Sequence, residues 1–292
     1  MNFALENSLI TKIGSISSRA DGIFYNDINL HDSVHIDLWL ADLNQAKSLA
    51  KTLLNKDLAA YYQQILSPAE QQRAALMGTQ RQQEFMLTRG ILRELLSSYT
   101  AIEPQYLKLA YSLHGKPYLD YDEPQYQIPF SVSHTRDLAL YSVIKPNLSS
   151  NKHHSKNYLE AVGIDLEFKY RSLSIEKMRK LVQRYFLPQE QKIWHEYLDE
   201  PHLAKSCFLR TWTAKEAYAK ATGLGLAQTL THLDTSQWFD ILKESELANL
   251  PDLKIELTRN PDSIYTVRDI TPLLAKKELE YISAICWQNF NH

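Results

Sequence analysis

The chain has 292 residues, 44% of them hydrophobic and 23% charged, ordinary values for a globular protein with one large core or two smaller ones. With 32 basic and 34 acidic residues the net charge is −2, so no global field exists to hold nucleic acid or an anionic membrane, and any phosphate recognition must come from a local cluster. Cys207 and Cys286 have neither metal-site nor disulfide-framework spacing, and no apolar run reaches the length of a membrane span, so a reduced, cytoplasmic setting is expected.

Residues 1–33 have weak periodicity and scattered Gly, Asn and Ser, and read as an N-terminal extension; with Glu6, Lys12 and Arg19 and no continuous hydrophobic segment, this stretch is not expected to act as a secretory signal. A strand is expected from Val34 to Leu40, then helical spacing from about 43 to 66. Ser67-Pro68-Ala69-Glu70 starts another helix, with serine as cap and proline at its first position. Residues 79–99 form a clear helix with Phe85, Leu87, Ile91, Leu92, Leu95 and Leu96 on its apolar side and Arg81, Arg89 and Arg93 as basic groups. A strand near 107–112, a turn at His114-Gly115-Lys116-Pro117 and a hairpin from Phe130 to Ile144 follow. The composition breaks at Pro146–Lys156; His153 and His154 are adjacent and point apart, which suits a polar loop better than a metal tract.

The second half opens with a strand over 162–167. Helices are expected near 174–186, 188–199 and 202–222, the last stopped by Gly223 and Gly225, with strands near 252–258, 263–269 and 279–288. This order predicts an α+β protein in which each half packs helices on a small, mainly antiparallel sheet. The N-terminal half covers 34–157 and the C-terminal half 158–292, with a cleft expected between them.

Val162-Gly163-Ile164-Asp165-Leu166-Glu167 alternates, so Val162, Ile164 and Leu166 face one way and Gly163, Asp165 and Glu167 the other. Two acids side by side on one strand face repel unless a cation or water lies between them. A D-x-E strand alone is also a common solvated sheet face. Gly163 either leaves room for a ligand or marks a close helix–strand contact. Phe208, Trp212, Glu216 and Lys220 recur every four residues on the 202–222 helix. Trp212 reads as a core anchor against the sheet. Lys215, Glu216 and Lys220 fit plain surface charges, but Glu216 also sits where a third acid could join Asp165 and Glu167. Three converging carboxylates with a nearby lysine suit a Mg²⁺ site for phosphate chemistry. Lys116, His134, Arg89 and possible help from Arg81 could make a phosphate pocket.

The ordered motifs GKP (115–117), FSVSHT (130–135), VGIDLE (162–167) and WTAKEAYAKATGLGL (212–226) resemble the 4′-phosphopantetheinyl transferases, in particular the broad-specificity surfactin-synthetase-activating type, built from two fused pseudo-symmetric halves. That resemblance implies a monomeric holo-[acyl-carrier-protein] synthase. It would move the 4′-phosphopantetheine arm of coenzyme A to a serine of an apo acyl or peptidyl carrier protein and release adenosine 3′,5′-bisphosphate. It further implies that Asp165, Glu167 and Glu216 hold Mg²⁺ and that Lys220 lies near the diphosphate. Lys116 and His134, with Ser133 beside them, match nucleotide-phosphate residues, and Arg89 matches an arginine near the 3′-phosphate. Glu216 or Glu167 would take the serine proton. Ser131 and Thr135 depart from the family's usual Asn and Ser. The helix at 174–186 presents Lys177, Lys180 and Arg184, a candidate surface for an acidic carrier. Two other functions use the same residues: a different Mg²⁺-dependent phosphotransferase or nucleotide hydrolase, and a non-catalytic carrier-binding module.

Overall fold

The computed structural model describes residues 10–17, 35–54, 58–145, 161–229, 232–244, 250–257, 260–275, 277 and 279–290. Helix and strand are mixed along the chain, and the backbone divides into two compact units. Met1–Ala110, Pro117–Ile128 and His134–Asn151 make up the first; Tyr111–Lys116, Pro129–Ser133 and Lys152–His292 make up the second.

In the first unit β1 (Ile10–Ser17) pairs antiparallel with β2 (His35–Asp42). Two short strands, β3 (Leu109–Tyr111) and β4 (Pro117–Leu119), form a separate pair. With β5 (Phe130–Thr135), whose residues 130–133 belong to the second unit, and β6 (Leu138–Ile144), the larger sheet runs β1-β2-β6-β5. β1 lies inside the stretch expected as an extension, and the reason is physical. The register shifts between Lys12 and Gly14, and over residues 10–13 the buried side chains are Ile10 and Ile13, three apart, so the two-residue alternation that marks a strand is broken there.

The helical stretch expected over 43–66 contains α1 (Leu43–Leu54) and α2 (Leu58–Gln63). α3 (Pro68–Ala75) starts as its sequence requires. Ser67 Oγ accepts from Glu70 N, and the Glu70 carboxylate accepts from Ser67 N at 2.9 Å. Gln71 Nε2 reaches back to the carbonyls of Gln63 and Leu66 at 3.0 and 2.9 Å. α4 (Thr79–Thr100) runs 22 residues and buries its leucine-rich side. Arg93, one of its expected basic groups, is fully buried: it pairs with Glu70 at 2.7 Å and donates to the carbonyls of Pro104 and Leu107. Next to it Glu94 accepts from Tyr62 Oη at 3.2 Å. On β2, Asp37 is buried against Lys12 Nζ at 2.8 Å and the Tyr99 hydroxyl at 2.7 Å.

The second unit carries the antiparallel sheet β7-β10-β9-β8, made of β7 (Val162–Phe168), β8 (Leu253–Leu257), β9 (Asn260–Asp269) and β10 (Tyr281–Phe290). Its helices include α5 (Ile175–Tyr185), capped by Ser174, then α6 (Pro188–Glu196) and α7 (Pro201–Thr222). α7 also has 22 residues and stops at Gly223, whose φ of 70° is left-handed. Phe186, Trp194, Phe208, Tyr218, Trp238 and Phe239 fill the core around it. At the start of α6, Glu190 accepts from Leu187 N at 2.7 Å, and Gln191 Nε2 donates to the Phe186 carbonyl at 2.8 Å. Glu190 is buried and pairs with Lys215 of α7 at 2.9 Å.

Candidate active site

Gly163 sets the geometry. A Cβ there would lie 2.0 Å from the Ala217 carbonyl oxygen and 2.4 Å from Ala221 N, so the backbone of α7 rests directly on β7. Of the two roles that the sequence leaves open for this glycine, the structure shows close packing and no room for a ligand. α7 thereby brings Lys220 to the face of β7 that carries Asp165. Lys220 Nζ lies 2.7 Å from Asp165 Oδ1 and 3.0 Å from the Ile164 carbonyl.

One edge of β7 pairs with β10, and Ser283 Oγ adds a 2.6 Å bond to the Asp165 carbonyl. Among the described residues the other edge has no strand partner in the sheet and is closed by side chains. Lys116 Nζ donates to the Val162 carbonyl at 2.8 Å, Ile164 N donates to Ser131 Oγ at 3.1 Å, and Leu166 N donates to Ser133 Oγ at 3.2 Å. These bonds supply what a neighbouring strand would otherwise provide. Ser133 Oγ also donates to Asp165 Oδ1 at 2.9 Å.

Burial dominates the electrostatics. It pushes the Glu216 carboxyl up to about 7, with Asp165 and Glu167 reinforcing the shift and Lys220 opposing it. Burial also raises Glu167, against the pull of Arg171, while Asp165 adds to the rise. Glu167 and Arg171 form an ion pair. Lys116 is lowered to about 8, mainly by burial, with the charge of Lys220 acting in the same direction. The three acids and two lysines therefore share one electrostatic neighbourhood. Among the described residues no three His, Cys, Asp or Glu side chains stand as a ready ligand set for a metal.

Lys215 is not a surface charge; it is 1% exposed, tied to Glu190 and to the Leu233 carbonyl at 2.8 Å. Trp212 is half-buried, packs against the core cluster, and its ring meets Tyr185 and Phe208, so it also joins α5 to α7. Lys220 is only partly exposed and pairs with Asp165, so it is no plain surface charge. Arg89 and His134 belong to the first unit. There His134 is exposed at the end of β5, and Arg89 lies 3.8 Å from Glu70 and over the Phe85 ring. Arg81 is exposed. Sequence reasoning passed over Arg171, Ser131 and Ser283, because their roles depend on what the fold sets beside them.

Asp165 and Glu167 on β7, Glu216 and Lys220 on α7 and Lys116 beside the strand edge are side chains of the types that bind phosphate and a hard cation. The model of the 4′-phosphopantetheinyl transferase superfamily matches residues 161–268, which include β7 and α7. The chain is 36% identical over 200 residues to the 4′-phosphopantetheinyl transferase HetI of Nostoc sp., covering 68% of this chain and 72% of that protein. It is 32% identical over 181 residues to a putative 4′-phosphopantetheinyl transferase of Synechocystis sp., covering 61% and 65%. A human L-aminoadipate-semialdehyde dehydrogenase-phosphopantetheinyl transferase is 29% identical over 154 residues, 51% and 45% of the two chains. The chain belongs to the 4′-phosphopantetheinyl transferase superfamily.

Proposed function

We propose that this enzyme transfers 4′-phosphopantetheine from coenzyme A to a serine of an acyl or peptidyl carrier protein, with Mg²⁺ held by Asp165, Glu167 and Glu216. Family membership makes it a phosphopantetheinyl transferase, and enzymes of this superfamily use coenzyme A and a divalent metal to modify carrier proteins. The observation that carries the residue assignment is the placement of Lys220 on Asp165 beneath α7, within the stretch that matches the family.

The donor set fits a hard divalent cation by its chemistry. Asp165 raises both Glu167 and Glu216, so the three acids repel one another and a bound cation would relieve them. When bound, Mg²⁺ neutralises diphosphate charge. The remaining work falls to the chain. The serine oxygen bonds to the phosphorus that carries the pantetheine arm, and the bond from that phosphorus to the bridging oxygen of the nucleotide breaks. Adenosine 3′,5′-bisphosphate leaves, and Lys220 stabilises its developing charge. Glu216 or Glu167 accepts the serine proton. Lys116, His134 and Arg89 bind the nucleotide phosphates in this reading, and Lys116 is supported by its position on the edge of β7 next to Lys220.

The proposal extends to the two-half, surfactin-synthetase-activating type acting as a cytoplasmic monomer. Matched features inside each unit support pseudo-symmetry. Ile36-Asp37-Leu38 of β2 corresponds to Ile164-Asp165-Leu166 of β7. A glutamate one turn into a helix pairs with a cation on a 22-residue helix in both, Glu70 with Arg93 and Glu190 with Lys215. Gln71 and Gln191 each donate to the carbonyls eight and five residues back. Buried thiols at Cys207 and Cys286 suit a reduced compartment, and among the described residues no helix is long and apolar enough to cross a membrane.

Intact mass of candidate apo-carriers after incubation with coenzyme A and Mg²⁺ tests the reaction; a gain of one phosphopantetheine arm is expected. Asp165→Ala and Glu216→Ala should lose transfer by at least about a thousandfold while keeping the fold, in the range for groups that stabilise transition-state charge. A folded variant with full activity removes that residue from the mechanism.

A further inference from the structure

We infer that Ser133 is a positioning residue for Asp165 and not a ligand of the coenzyme A phosphates. The inference rests on Asp165 as a metal-binding carboxylate, the assignment proposed above. A serine hydroxyl has one proton to donate and two lone pairs. At Ser133 that proton goes to Asp165 Oδ1 at 2.9 Å, and one lone pair accepts the Leu166 N–H at 3.2 Å. Ser133 is buried, so these bonds are made away from water. A phosphate needs donors, and this hydroxyl has no second one to offer. A direct contact would require releasing Asp165.

Its bonds also orient the carboxylate. Among the described residues, the Asp165 side chain takes its hydrogen bonds from Ser133 Oγ and Lys220 Nζ, both on Oδ1. Oδ2 is left as the oxygen for a cation. The hydroxyl itself is held by the Leu166 N–H, part of the rigid edge of β7, so the orientation is built into the strand and does not depend on a mobile side chain. Ser131 provides an internal comparison. Two residues earlier on β5, it accepts from Ile164 N in the same way at 3.1 Å, yet its recorded bond goes to no carboxylate. The two serines close the same strand edge, and of the pair it is Ser133 that couples that edge to an acid.

The test uses Mn²⁺ in place of Mg²⁺, followed by its paramagnetic resonance signal, on the full chain with coenzyme A present and no carrier, so that nothing turns over. Coenzyme A affinity is measured separately without metal, and thermal unfolding reports the fold. Ser133→Ala should weaken Mn²⁺ binding about tenfold or more, the usual effect of removing a partner that orients a ligand, and leave metal-free coenzyme A affinity unchanged. Ser133→Thr, which keeps the hydroxyl, should recover most of the Mn²⁺ affinity. Ser131→Ala should lower the melting temperature and leave Mn²⁺ affinity as it was. Wild-type Mn²⁺ affinity in Ser133→Ala overturns the inference, and so does a loss of metal-free coenzyme A affinity in that variant. Asp165→Ala separates the two levels of argument. If it too binds Mn²⁺ normally, the metal assignment itself fails; if it loses Mn²⁺ while Ser133→Ala does not, only the positioning role fails.

Discussion

Glu216 lies at the end of a tug between burial and charge. Its carboxyl holds a proton up to about 7 in the folded chain, because burial and then Asp165 disfavour its charged form more than Lys220 favours it. In the unfolded chain it titrates near the ordinary glutamate value of about 4.3. Between those two values the folded state binds more protons than the unfolded state, so this group makes stability fall as pH rises through that window. Glu216→Gln removes the effect. Without metal, the variant should come close to the wild type near pH 4.5 and exceed it at pH 8, by on the order of 3 kcal/mol. Added Mg²⁺ should stabilise the wild type more than the variant. Parallel melting curves across this pH range would remove Glu216 from the charged cluster. At this scale the sequence is partly legible. Asp165 and Glu167 share a face by strand alternation and Glu216 and Lys220 by helical spacing, and of the contacts between these two sets the structure shows the Lys220–Asp165 pair. Lys215 and Lys220 look alike in the sequence, yet one is sealed against Glu190 and the other reaches Asp165. Only the turn of α7 relative to its neighbours separates them. Arg171 and Ser131 carried no signal, because the partner of each is fixed by chain folding and not by local pattern.

Among the elements, the contact of α7 with β7 controls the site. The two are so close at Gly163 that a methyl group meets backbone atoms, which cannot swing aside as a side-chain tip would. Gly163→Ala should therefore lift the helix and cost about 1–3 kcal/mol, the usual range for overpacking a tight interior. Transfer should fall further than stability alone explains, since the 2.7 Å Lys220–Asp165 contact depends on that spacing. Melting temperature and turnover of Gly163→Ala, read together, check this; a stable, fully active variant would show that α7 and β7 can separate without consequence. The long helices and the Ser67 cap were legible because their signals are local and repeated. β1 was not, since the shift between Lys12 and Gly14 breaks the alternation by which a strand is recognised. The serine-closed edge of β7 was equally hidden. A strand whose outer hydrogen bonds go to lysine and serine side chains has the same sequence pattern as one paired on both sides.

At the scale of the molecule, the net charge of −2 offers no steering toward an acidic carrier, so docking has to depend on a local field. α5 provides one. Met178 and Val182 are buried and fix its inner side, while Lys177, Lys180 and Arg184 are exposed on the outside. Glu176 offsets part of that charge through Lys180 at 3.5 Å and Arg179 at 3.9 Å, but these are exposed pairs worth little to stability. Reversing Lys180 and Arg184 to glutamate should thus spare the fold and change only partner attraction. For the double variant kcat/KM toward the carrier should fall about tenfold or more at low salt, while KM for coenzyme A stays constant. Salt must act in a particular direction if the mechanism is electrostatic. Raising ionic strength shortens the Debye length from about 30 Å at 0.01 M to about 8 Å at 0.15 M, which should slow the wild type toward the variant and affect the variant much less. Equal losses toward carrier and coenzyme A would place these residues at the nucleotide site instead. A deficit that persists unchanged at high salt would mean that α5 contributes shape and not charge to carrier recognition.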